Sequence, residues 1–296
     1  MSTVLDSVLI LADGRRLGYR VRGDRSAMPV LHFHGQPGSR SETDIYPDGV
    51  LDAANARVVS YDRPGMGHSD DHPARDMVDD LPDAIALLDH LGIERVGVIG
   101  VSAGGPWAFA FAASYPDRVV RLVPVSASGP YDAAAEPYMH DVDIEEMRDV
   151  RTRGADAMLE GYEAARARML EDIDAEMARW LVDFPVPEIE WATQGPGKAI
   201  LHAEMAAALG AGARGWLRET EVRALPWSFD PSTISCPVRA FHGDRDSSER
   251  RDNLERILAR IPDASVTVYP RGDHFSPHLH PERLLAAATG MPPRVS

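Results

Sequence analysis

Cysteine is almost absent: Cys236 is the only one in 296 residues, which excludes an internal disulfide and suits a reducing compartment. Basic residues are scarce as well. Lys and Arg number 31 against 46 Asp and Glu, a formal net charge of -15, so nucleic acid and anionic membrane surfaces are poor partners. No run approaches the roughly twenty apolar residues needed to span a bilayer. The N-terminal Met1-Ser2-Thr3-Val4-Leu5-Asp6-Ser7 lacks the basic segment and apolar core of a secretory signal. Repeats and low-complexity tracts are missing too. These absences predict a cytoplasmic protein, and 44% hydrophobic with 26% charged residues predicts a globular chain with a sizeable core.

What is present is an alternation. Apolar runs of strand length occur at Pro29–His34, Arg57–Tyr61, Arg95–Val101, Val119–Val125, Pro237–His242 and Ser265–Tyr269, with a hairpin signal around Ala12-Asp13-Gly14-Arg15. Helical spacing lies between them: Met77, Leu81, Ala84, Ile85, Leu88 and Leu91, with Pro82 marking a shift or kink, then Trp107–Ser114, roughly 247–260, and a last helix from Pro281. Strands apolar nearly throughout, rather than at every second residue, predict an α/β fold with a mostly parallel, doubly wound sheet covered on both faces. From about 130 to 230 only helical periodicity is found. Met158, Tyr162, Ala165 and Met169 share one face, as do Ile173, Met177, Trp180 and Phe184. The expected organisation is therefore a core of 1–129 and 231–296 with a helical cap inserted at 130–230.

In an open parallel sheet, ligands collect beyond the carboxyl ends of the strands. Four loops at such ends carry informative residues: His34–Gly38, Gly100–Gly105, His242–Asp246 and Gly272–His274. In Gly100-Val101-Ser102-Ala103-Gly104-Gly105, glycines two before and two after the serine permit a sharp reversal that lifts one hydroxyl clear of its surroundings. That turn demands a positive φ at Ser102. A serine hydroxyl needs a base, and the base needs a third group to fix its orientation. Ser102, an acid near 246 and His274 supply these in chain order.

Together these segments resemble the α/β-hydrolase superfamily, in the group with a helical cap. His34-Gly35-Gln36-Pro37-Gly38 is similar to that family's oxyanion loop. Asp62-Arg63-Pro64-Gly65-Met66-Gly67-His68-Ser69 resembles the loop that follows, Gly100–Gly105 the nucleophile elbow, His242-Gly243-Asp244-Arg245-Asp246 the acid loop and Gly272-Asp273-His274-Phe275 the histidine loop. The resemblance implies a catalytic triad of Ser102, Asp246 and His274. Asp246 is preferred because it stands three positions after the glycine that ends its strand, while Asp244 and Asp273 are expected to be exposed loop carboxylates. His278 is expected at the surface and His280 near the cap of the last helix, so no metal site is expected and no cofactor. The oxyanion would be received by the backbone N–H groups of Ala103, at a helix N-terminus, and of Gln36. Pro37 has no N–H to give. The Gln36 side chain either points into the pocket or packs outside it. His34 and His242 are expected to fix loops by hydrogen bonding.

The resulting expectation is a serine hydrolase acting through an acyl-enzyme on a small or medium carboxylic ester or lactone. Carbon–carbon bond hydrolysis, proline iminopeptidase-like amide cleavage and a ligand receptor with little turnover stand as alternatives; a homodimer is left open. Epoxide hydrolase and dehalogenase relatives place Asp where Ser102 stands. The cap holds 21 Asp and Glu against 10 Lys and Arg. These suit either solvated helix faces or attraction of cationic substrates. Cap methionines with Trp180, Trp191 and Trp216 suit an apolar acyl or aromatic pocket.

Overall fold

The computed structural model describes residues 4–72 and 76–291. Eight strands form one sheet: β1 Val4–Ile10, β2 Arg16–Arg22, β3 Met28–Phe33, β4 Ala56–Tyr61, β5 Val96–Val101, β6 Val119–Val125, β7 Val238–Gly243 and β8 Ala264–Tyr269. Their spatial order is β1-β2-β4-β3-β5-β6-β7-β8. β1 and β2 pair antiparallel, as do β2 and β4; all other neighbours run parallel. The mostly parallel α/β sheet expected from the apolar runs is the one found.

Successive residues of these strands feed two cores. Leu31, Phe33, Val59, Val96, Val98 and Leu122 pack on one face with helices α2 (Leu81–His90), α3 (Gly104–Ser114) and α10 (Arg251–Leu258). Val30, Val58, Ile99, Val101, Val123 and Val125 pack on the other with α1 (Asp48–Ala53) and α11 (Pro281–Thr289). Period-two alternation with both faces covered is why the central strands read as continuous apolar runs. Every position of β5 is buried.

Between β6 and β7 the chain forms six helices and no strand: α4 Asp141–Arg153, α5 Ala155–Glu171, α6 Ile173–Trp180, α7 Val186–Thr193, α8 Gly195–Leu209 and α9 Arg214–Arg223. Tyr162 on α5 packs with Met147, Val150 and Leu217. Met177, Leu181, Phe184 and Leu201 pack with Phe275, so this insertion sits directly on the loop that carries His274. No helix among the described residues is long and apolar enough to cross a membrane.

One helix boundary differs from expectation, and another shows the shift expected at Pro82. The run expected over 247–260 is helical only as α10, because residues 244–250 are used as the loop carrying Asp246. Ahead of α2, Met77–Asp80 forms a 3-10 turn capped by the Asp76 side chain, and Pro82 sits in the first turn of α2, where its missing N–H costs nothing.

Candidate active site

Ser102 lies between β5 and α3 with φ at +50°. Its backbone is held on both sides: Ser102 N–H donates to Val125 O at 2.9 Å, while its carbonyl accepts from Gly105 N at 2.9 Å and Ser128 N at 3.0 Å. Neighbouring chain thus over-determines a conformation that a serine would not adopt freely. Gly104 permits the tight approach, since a Cβ there would collide with the carbonyl oxygens of Phe33 and His34.

Asp246 follows β7 and His274 follows β8. His274 Nδ1 is 3.0 Å from both Asp246 oxygens, and the carboxylate also accepts from Ser248 N at 2.9 Å and Glu249 N at 2.8 Å. Burial alone would lower His274, but the Asp246 charge and hydrogen bond outweigh it and raise the imidazole to about 9. Burial likewise disfavours charge on Asp246, yet His274 and the backbone donors hold the carboxyl below its usual range. This pair leaves His274 Nε2 as the nitrogen available for proton transfer.

The His274 loop is braced from three directions. Its carbonyl accepts from Ser126 Oγ at 2.9 Å, and its N–H donates to Asp273 Oδ1 at 2.8 Å. Asp273 also accepts from Ser247 N and Oγ, at 2.8 and 2.9 Å. Contrary to expectation, Asp273 is therefore a buried brace, because its neighbours offer three donors that outweigh the cost of desolvating it. Glu188 on α7 accepts from Asp273 N and Phe275 N, each at 2.8 Å, and from Ser276 Oγ. His278, expected at the surface, is also buried: the 3-10 turn Ser276–Leu279 folds it under Trp191 and Phe275. His280 stands at the N-cap of α11 as expected.

The loop after β3 faces Ser102; a Cβ built on Gly35 would lie 3.6 Å from Ser102 Cβ. The N–H groups of Gln36 and Ala103 meet no acceptor among the described residues. The Gln36 side chain packs against the insertion: Nε2 donates to Trp216 O at 2.9 Å and Thr220 Oγ1 at 3.0 Å, and Oε1 accepts from Arg223 Nη1 at 2.5 Å. Arg223 continues to Ser128 Oγ at 3.1 Å and Glu249 at 3.5 Å, and burial pushes Glu249 up to about 7. His242 Nε2 is 2.9 Å from Glu249 O, the loop-fixing contact expected of it. Trp180 brings an aromatic ring to 5.9 Å from His274 and 5.0 Å from Phe275.

A model of the alpha/beta hydrolase fold matches residues 28–281. The chain belongs to that family. Among curated relatives, an uncharacterized hydrolase of Bacillus subtilis, YcgS, is 36% identical over 118 residues, covering 40% of each chain. The 2-hydroxy-6-oxononadienedioate/2-hydroxy-6-oxononatrienedioate hydrolase of Paraburkholderia phymatum is 41% identical over 104 residues, 33% of this chain and 35% of the relative. The matched part thus spans well under half the length of these curated relatives. The enol-lactonase of Burkholderia xenovorans LB400 superposes with a TM-score of 0.70 at 19% identity, covering 96% of this chain and 99% of that one. At that identity the likeness is one of fold.

In this α/β-hydrolase, sequence reasoning passed over Glu188, Glu219, Glu249 and Arg223. Glu188, Glu219 and Arg223 lie far in sequence from the residues they bond, Glu249 from the Ser128 and Arg223 side chains that its carboxylate meets, and none sits in a recognisable motif. Arg63 lies in the Asp62–Ser69 segment, and that was the one signal in the sequence that could have found it.

Proposed function

We propose that this protein is a serine hydrolase of small or medium carboxylic esters or lactones, with Ser102 as nucleophile, His274 as base and Asp246 as the group that orients and charges the imidazole. The observation that carries the reading is the His274 Nδ1 contact of 3.0 Å to both Asp246 oxygens, at the same sheet edge as a serine held at φ +50°. His274 Nε2 takes the Ser102 proton as Oγ bonds to the acyl carbon; the carbonyl π electrons move onto oxygen, where the Gln36 and Ala103 N–H groups receive the charge. Collapse breaks the bond to the leaving alkoxide, which takes the proton from His274. Water then gives a proton to His274 and its oxygen to the acyl carbon, and the tetrahedral species collapses to the acid with the proton returned to Ser102. The Trp180 and Phe275 rings beside His274 support an apolar acyl or aromatic substrate.

A second reading, hydrolysis of a carbon–carbon bond on the same serine scaffold, is favoured by the 41% identity to the Paraburkholderia phymatum relative. Rates on p-nitrophenyl esters, an enol-lactone and a 2-hydroxy-6-oxodienoate separate the two. Ser102→Ala should lower turnover by about 10⁶-fold and abolish labelling by a fluorophosphonate. Full turnover in that variant sinks both readings, and labelling without multiple turnover in the parent would favour a receptor.

A further inference from the structure

The peptide joining Gly35 to Gln36 carries the N–H assigned above to the oxyanion. On its other side it carries the Gly35 carbonyl. In a planar trans peptide these two groups point in opposite directions, so whatever grips the carbonyl aims the N–H. Two donors grip it. Arg63 Nη2 lies 2.9 Å and His34 Nδ1 2.8 Å from Gly35 O. Arg63 N donates to His34 Nε2 at 3.2 Å, which puts the imidazole proton on Nδ1, facing the carbonyl. Burial, aided by the Arg63 cation, holds His34 well below the ordinary histidine range and keeps it the neutral tautomer this arrangement needs.

Arg63 is itself completely buried. Its Nη1 donates to His34 O at 2.5 Å, its guanidinium lies 4.7 Å over the Trp107 ring, and its Nε donates to Glu219 Oε1 at 2.6 Å. Glu219 belongs to α9, the last helix of the insertion, and its Oε2 is buried with no partner among the described residues. Among the described residues Arg63 is thus the carboxylate's hydrogen-bonding partner, with the charges of Arg218 and Arg223 acting on it as well. A cation bound to a carbonyl also polarises its peptide, strengthening the N–H opposite as a donor.

We propose that Arg63 and Glu219 are a positioning pair that fixes the Gly35–Gln36 peptide plane, so that α9 is a working part of the oxyanion hole. Neither residue touches substrate; both act through the Gln36 N–H. The inference rests on the reading of Ser102 as nucleophile. It agrees with the way α9 is joined to the core at residues 218, 219, 220 and 223.

The test uses the double variant Arg63→Met/Glu219→Leu, which removes both charges and so leaves no unpaired buried ion, beside Glu219→Gln, which retains an acceptor for Arg63. Three quantities are read in each: kcat and KM on p-nitrophenyl butyrate, inhibition by an aryl trifluoromethyl ketone, and inhibition by butyramide. The ketone adds Ser102 Oγ to its carbonyl and places a negative oxygen in the hole; neutral, planar butyramide does not. In the double variant kcat should fall about 10²-fold with KM within threefold. Ketone affinity should fall by the same factor and butyramide affinity should hold, with Glu219→Gln intermediate. A folded double variant with kcat within threefold of the parent overturns the proposal, as does equal loss of ketone and butyramide binding. Should the double variant not fold, Glu219→Gln decides alone, and unchanged kcat and ketone affinity there overturn it. Activity that survives Ser102→Ala brings down the nucleophile reading itself; activity lost there but kept in the double variant brings down only the positioning pair.

Discussion

At the scale of single residues, the chemistry proposed for His274 turns on its protonation. Only the neutral imidazole can accept the Ser102 proton, and Asp246 raises His274 to about 9. Log kcat/KM should therefore climb with pH until His274 deprotonates near that value. Asp246→Asn removes the charge that raises the imidazole, so the rising limb should move to lower pH while kcat falls about 10⁴-fold; a pH profile whose limb stays in place would contradict this assignment. Ser102, His274 and Asp246 could be proposed from five short segments because those segments, in that order, resemble one family's loops, and each of the three residues stands in a loop that follows a strand. Asp273 and His278 were misjudged for one reason. Burial depends on which donors and rings surround a side chain, and those come from Ser247 for Asp273 and Trp191 for His278, residues remote in sequence.

At the scale of elements, the β5–Ser102–α3 unit tolerates no side chain at Gly104. Gly104→Ala would drive a methyl into two backbone carbonyls, which cannot swing away as a side-chain tip can. A loss of about 3 kcal/mol, read as a lower urea midpoint, is expected. α7 offers a different test. Removing the Glu188 carboxylate with Glu188→Ala strands the N–H groups of Asp273 and Phe275 and the Ser276 hydroxyl inside the protein. At about 1–3 kcal/mol for each buried group left unpaired, the melting temperature should drop clearly, and kcat should fall with it because His274 shares that loop. A Glu188→Ala protein with unaltered kcat would show that the loop holds its place without α7. The strands and α3 were legible because period and glycine placement are local signals. That α7 clamps the histidine loop was not, because nothing in Pro187-Glu188-Ile189 distinguishes a clamp from a solvated helix face.

At the scale of the whole molecule, the sheet, its two helical layers and the insertion close around buried ionisable groups that respond to acid. Burial lowers His278 from 6.5 to about 4. Between those values the unfolded chain binds more protons than the folded one. The contribution of His278 to stability is thus complete above pH 6.5 and is lost as pH falls toward 4, at up to about 1.4 kcal/mol per pH unit. Melting temperatures from pH 7 to pH 4 should fall less steeply for His278→Gln than for the parent. Identical slopes would place the acid sensitivity elsewhere.

The sequence by itself determined the mostly parallel α/β sheet, and it supplied the bounds of a helical insertion and the order of a candidate triad as expectations. Apolar periodicity, glycine spacing and strand ends are properties of contiguous residues, and short-range sterics enforce them. Where the Gln36 side chain goes, and that Arg63 reaches from the loop after β4 to Glu219 on α9, were decided only when segments more than a hundred residues apart were brought together. Buried polar groups must find partners wherever the fold supplies them, and no local pattern records which partner that will be.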